Sequence, residues 1–131
     1  MDVKKLDFNM FNDERGSLIA LEQHKEIPFE IKRIYYIFNN ELDCVRGKHA
    51  HKHLEQVLIC VNGSCDVLTD DGKTKEIATL DNPNKALYIG NMVWREMFNF
   101  SKGCVLLVIA SELYDQEDYI KDYNLFLEEV S

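Results

Sequence analysis

Turn-forming residues punctuate this chain at short intervals as far as residue 103, and that spacing limits its fold more than any other feature. Arg15-Gly16, Asn62-Gly63, Asp70-Asp71-Gly72, Asn82-Pro83-Asn84 and Ser101-Lys102-Gly103 separate runs that read as strands. The runs cover 3–8, 17–22, 32–38, 45–51, 55–61, 64–70, 74–80, 86–89, 92–98 and 104–111. Asp71-Gly72 between two alternating runs is a strong hairpin signal. About ten short strands spaced this way predict an all-β sandwich, jelly roll or barrel.

The tail departs from that pattern. From Asp115 onward, Tyr119, Ile120, Tyr123, Phe126, Leu127 and Val130 recur at spacings of three and four, predicting a helix over about 115–130 with one apolar stripe. Asp115 followed by Asp118 supplies a start signal. The stripe reads as structural, covering a barrel end or a subunit contact.

A chain of 131 residues with no internal repeat or linker-like stretch is expected to form one domain over 1–131. No apolar h-region follows Met1-Asp2-Val3-Lys4-Lys5, and the apolar run Cys104–Ala110 is too short to span a bilayer. A soluble, cytoplasmic protein without a membrane partner is the expectation. The net charge of −8 argues against a nucleic-acid surface, yet arginines focused into one cleft can still hold a small anion. Cys44, Cys60, Cys65 and Cys104 lack the close pairing of a zinc knuckle and read as reduced, mostly core thiols.

His49, His51 and His53 fall at alternate positions, so a strand would turn them to one face. Glu55 shares their parity provided that no break falls at Lys52-His53. Val57, Ile59 and Val61 continue it and mark this face as the inner one. Two imidazoles on an apolar inner face are costly unless something uses them, whereas His53 beside Lys52 reads as a surface residue. The HxH spacing, Glu55 four residues after the second histidine, and Gly63 ending the next strand match the first cupin motif. A cupin metal site would need another histidine from a later strand. In Gly90-Asn91-Met92-Val93-Trp94-Arg95-Glu96 that place holds Arg95, and His24 lies far upstream in a polar stretch. A guanidinium cannot ligate a cation and opposes one nearby. The imidazoles are then left for proton transfer near neutral pH.

Residues 46–63, Arg46-Gly47-Lys48-His49-Ala50-His51 through Asn62-Gly63, resemble the signature of the dTDP-sugar 3,4-ketoisomerases. So do Ile27–Phe38, Leu87-Tyr88-Ile89-Gly90, Val93-Trp94-Arg95-Glu96-Met97, Val108–Ser111 and Tyr114–Ile120, so that the likeness spans nearly the whole chain. The resemblance implies a metal-free cupin jelly-roll barrel without cofactor, usually a homodimer exchanging N-terminal strands. It implies conversion of dTDP-4-keto-6-deoxyglucose to a dTDP-3-keto-6-deoxyhexose, followed by a PLP-dependent aminotransferase that feeds a cell-surface glycan such as an O-antigen or a natural product. Carried over, His49 and His51 are the acid/base pair and Tyr35 lies close to the sugar.

The chemistry suits these residues independently. A neutral imidazole can take a carbon-bound proton, and an imidazolium or phenol can donate to an enediol oxygen. The expected substrate-binding set is Arg15, Arg33, Arg46, Arg95 and Glu55, the arginines offering forked donors to a pyrophosphate or sugar oxygens. Tyr36, Tyr88 and Tyr123 read as packing residues; Trp94 is divided between stacking on the base and core packing. Arg15 looks like the galacto-forming members of the family and Arg95 like the gluco-forming ones, with a slight lean to galacto. Rival readings are a metal-dependent cupin enzyme, a 3,5-epimerase or a non-catalytic nucleotide-sugar binding module.

Overall fold

The computed structural model describes residues 1–131. Eleven strands precede the tail: β1 (Val3–Asp7), β2 (Phe11–Asp13), β3 (Gly16–Leu18), β4 (Arg33–Ile37), β5 (Arg46–His51), β6 (Gln56–Asn62), β7 (Cys65–Asp70), β8 (Lys75–Leu80), β9 (Lys85–Ile89), β10 (Trp94–Phe98) and β11 (Val105–Ala110). A 3-10 turn (Gln116–Asp118), β12 (Tyr119–Ile120) and α1 (Tyr123–Val130) follow.

Two five-stranded antiparallel sheets face each other, in the orders β1-β9-β6-β11-β4 and β12-β5-β10-β7-β8. This is the cupin jelly-roll barrel that the resemblance implies, one of the all-β architectures the turn spacing allows, with a C-terminal helix. Leu58, Val67, Leu87, Ile89, Leu106 and Val108 fill the space between the sheets, each such side chain contributing about 1.5–3 kcal/mol by leaving water. Helix α1 is shorter than the sequence predicts. Tyr119 and Ile120 pair with His51 and Ala50 in β12. Asp122 then caps α1 by accepting from the Asn124 and Leu125 amides. The apolar stripe is therefore divided. Its first two members complete a sheet, and Phe126 buries against Ala50 and Trp94 on that sheet's outer face.

The expected strand 17–22 is also revised. β2 and β3 form a hairpin of their own that pairs with neither large sheet, and the chain from Ile19 to Ile31 packs over the outer face of the first sheet. That cover explains why β6 is apolar on both sides. Leu58 and Cys60 point into the barrel, whereas Val57 and Ile59 point outward against Phe8, Ile27 and Phe29. The inner face expected from Val57, Ile59 and Val61 is thus the outer one, with Val61 largely exposed. The chain leaves one sheet at His51 and enters the other at Gln56, and the intervening turn resets the alternation. No helix is long and apolar enough to cross a membrane.

Candidate active site

β5 carries both histidines into the barrel, and a bulge sets their aim. Arg95 pairs with His49 and Glu96 with Gly47, leaving Lys48 without a cross-strand partner. Gly47 and Lys48 both take positive φ, 86° and 57°. A Cβ on Gly47 would fall 2.9 Å from the Arg95 carbonyl oxygen, so the bulge requires glycine there. The kink brings the Gly47 carbonyl within 3.0 Å of His49 Nδ1. A carbonyl only accepts, so in the neutral ring Nδ1 carries the proton and Nε2 keeps its lone pair.

The His49 and His51 rings meet edge to face at 4.7 Å, and the Tyr119 ring lies 4.8 Å from the first and 4.4 Å from the second. His51 is fully buried. Neither of its ring nitrogens has a hydrogen-bond partner, and Asp118 Oδ2 stands 3.5 Å from its Nδ1, outside hydrogen-bond range. Asp118 is itself fixed, because its carboxylate accepts the His53 and Leu54 amides. Burial and then the Arg95 guanidinium push the His49 pKa down to about 4 and that of His51 lower still. Both rings are therefore neutral at physiological pH.

Arg95 lies beneath them, 1% exposed and with no carboxylate partner. Its guanidinium donates to the Val93 carbonyl and to Gln56 Oε1 at 2.7 Å. Burial lowers its pKa to about 10, so the charge persists at neutral pH. Because arginine has donors only, Gln56 must turn its oxygen to Arg95 and its amide nitrogen away. That nitrogen donates to Tyr35 Oη at 3.1 Å. Burial raises the Tyr35 pKa, so the phenol keeps its proton, and its oxygen already accepts from Gln56. The phenolic O–H is left free to donate into the cleft.

Tyr35, His49, Arg33, Arg46, Tyr114 and Tyr119 line that cleft, of about 320 Å³. A second one, of about 560 Å³, reaches His51 and Asp118 from the other side of Tyr114 and Tyr119. Arg33 is sandwiched over the Tyr35 and Tyr114 rings, at 5.2 and 5.5 Å, with two guanidinium nitrogens buried and without partners. Such orphaned donors suit an anion. Arg46 is exposed at the rim and donates to Asn40.

Two expected binding residues are not brought to the imidazoles. Glu55 lies outside the barrel, where its carboxylate accepts the Tyr88 hydroxyl. The turn at 52–55 that reversed the parity of β6 put it there. Arg15 sits exposed on the β2–β3 hairpin, held to Asp13. Among the residues read as packing, Trp94 is buried against Tyr123 and Phe126 and Tyr123 bonds Asp70, while Tyr36 is 61% exposed. Tyr114, Asp118, Tyr119 and Gln56 are not among the expected site residues, although the resemblance runs through all four; Asp118 and Tyr119 are expected in the tail helix. Apart from Asp118, the His layer offers two imidazoles beside a guanidinium, a donor set that repels a cation rather than holding one.

A family model described as FdtA, WxcM-like, C-terminal, matches residues 1–131. A TDP-4-oxo-6-deoxy-alpha-D-glucose-3,4-oxoisomerase of Aneurinibacillus thermoaerophilus is 52% identical over 126 residues, 96% of this chain and 91% of that one. A 3,4-ketoisomerase from Helicobacter canadensis superposes with a TM-score of 0.97 at 56% identity, covering 99% of this chain and 98% of the other. The WlaRB TDP-quinovose 3,4-ketoisomerase from Campylobacter jejuni gives 0.93 at 54%, covering 97% and 98%.

Proposed function

The chain belongs to the FdtA family, a family of dTDP-sugar 3,4-ketoisomerases, and from that premise we propose that it converts dTDP-4-keto-6-deoxyglucose to a dTDP-3-keto-6-deoxyhexose without a metal or other cofactor. The observation that carries the reading is the pair of neutral, inward-facing imidazoles above an uncompensated buried guanidinium. A neutral base is needed to take a carbon-bound proton, and positive charge nearby stabilises the enediolate that results.

The hydrogen bonds support the following steps. His49 Nε2 removes the C3 proton, and the electron pair passes into the C3–C4 bond as the C4 carbonyl oxygen gains negative charge. The free Tyr35 O–H donates to that oxygen, giving an enediol. Return of a proton to C4 and loss of the C3 hydroxyl proton leave the 3-keto isomer. His51, with Asp118 beyond it, shuttles the oxygen-bound protons, and its low pKa makes the imidazolium quick to release them. Arg33 and Arg46 hold the diphosphate.

We further propose a single-domain homodimer that exchanges N-terminal strands. The free-standing β2–β3 hairpin exposes Phe11 and Leu18, so Arg15 would serve the partner's cleft. The product would feed a sugar aminotransferase acting at C3. On configuration, the galacto product suggested by Arg15 has a gluco rival. The likeness of Arg95 to the gluco-forming members favours the rival, as does the 54% identity to an enzyme named for quinovose, the 6-deoxyglucose sugar.

NMR of the product tests the reading. A 3-keto isomer must appear from the 4-keto substrate after chelator treatment; no isomer from folded protein overturns it. A large H4–H5 coupling marks the gluco product and a small one the galacto product.

The pH profile supplies a further prediction. Protonation of His49 removes the base, so kcat/KM should stay flat from pH 7 downward and fall only near pH 4, not near 6.5. Arg95→Met removes one of the two main causes of that depression and leaves burial, so the acid limb should move part of the way back up. An unmoved limb would separate Arg95 from the base.

A further inference from the structure

Three thiols, one of them far from the other two in sequence, meet in the barrel core, away from the histidines. Cys60 is near the end of β6, Cys65 opens β7 and Cys104 immediately precedes β11. All three are buried and free. Their Sγ atoms lie within 4.8 Å of one another, with Cys60 and Cys104 at 3.4 Å. Three sulfurs around one cation, each at a zinc–thiolate length of about 2.3 Å, stand about 4 Å apart, inside the span these thiols already occupy. Core cysteines acting as small hydrophobes have no reason to converge from both sheets. A set of three soft donors selects thiophilic ions such as zinc.

The setting is built as well as the sulfurs. The turns at 62–64 and 101–103 lock together over the cluster, with the Ser64 amide donating to Ser101 Oγ and the Ser101 amide to the Ser64 carbonyl, both at 2.9 Å. Gly63 lies between them at a φ of 74°. A Cβ there would come within 2.4 Å of Ser101 Oγ and 3.0 Å of Cys104 Cα, so glycine lets the turn close on the thiols. The Asn62 carbonyl, 3.2 Å from Cys60 Sγ, borders the group as a nearby oxygen donor. We propose that Cys60, Cys65 and Cys104 form a three-thiolate site for one thiophilic cation, with zinc as its physiological form, tying the two sheets together. Cys60 is four residues along β6 from Gln56, about 13 Å at strand rise, so the ion is structural and takes no part in the reaction.

The test is titration of the reduced, metal-stripped full chain with cadmium, then competition with zinc. One equivalent should bind with a thiolate-to-cadmium charge-transfer band and a raised Tm. Cys60→Ser and Cys65→Ser should each lose both signals, while Cys44→Ser keeps them. Circular dichroism of the ion-free variants reports whether they fold. If the serine variants do not, X-ray absorption of the zinc-loaded wild type gives the same answer, three sulfur neighbours supporting the site and a shell of oxygen and nitrogen alone overturning it. No band in the folded wild type, or an undiminished band in Cys60→Ser, also overturns it. Turnover should be equal in the loaded and stripped protein.

Discussion

Replacing His49 with asparagine should lower kcat by about 10²–10⁴, the usual contribution of a positioned general base, while the protein remains folded. His49 sits at the cleft with Nδ1 committed to the Gly47 carbonyl, so its whole contribution to the reaction is the Nε2 lone pair. Asparagine keeps a polar group of moderate size but has no basic nitrogen. His51→Asn should fall within the same range for a different reason. It removes the ring that stands between His49 and Asp118, and with it the exchange of oxygen-bound protons. Because the buried imidazole has no hydrogen-bond partner to lose, the His51 variant should remain folded. A steady-state assay beside a thermal melt checks both. Full activity in either variant would remove that histidine from the mechanism.

Gly47→Ala should damage both fold and turnover without touching a reacting atom. The residue holds a φ of 86°, and a side chain there meets the Arg95 carbonyl at 2.9 Å and the Met97 sulfur at 3.1 Å. Strain of this kind costs about 1–3 kcal/mol, and relief requires the β5 bulge to shift. The same bulge fixes the His49 tautomer and aim. A displacement of about 1 Å at a reacting group lowers rate by about 10². We therefore expect a lower Tm together with a fall in kcat that exceeds any rise in KM. A variant with lowered Tm but unchanged kcat would show the bulge to be structural only.

The legible part of this protein was its local pattern. Turn residues and short alternating runs place nearly every strand of the two sheets, and the alternate spacing of His49 and His51 puts both rings on one face. The misread parts are tertiary. Strand β6 is buried on both faces, so Val57 and Ile59 are as apolar as Leu58 and Cys60, and no periodicity says which pair faces inward. The change of sheet at 52–55 leaves only Lys52-His53 as a hint, and it moved Glu55 out of the site. Tyr119 and Ile120 fit a helical stripe equally well as a strand, and their pairing with β5 decides between the two. Tyr119 and Asp118 reach the imidazoles from far along the chain, a distance local spacing does not cross. Cys104 joins Cys60 and Cys65 in the same long-range way.

Proton transfer between C3 and C4 by the imidazole pair is read directly by solvent deuterium. The 4-keto substrate turned over in deuterated water should give a 3-keto product carrying deuterium at C4, with label appearing at C3 of substrate recovered before equilibrium. Neither label should form with His49→Asn. A 3-keto product without deuterium at C4, or labelling that persists in His49→Asn at the wild-type rate, would contradict the account.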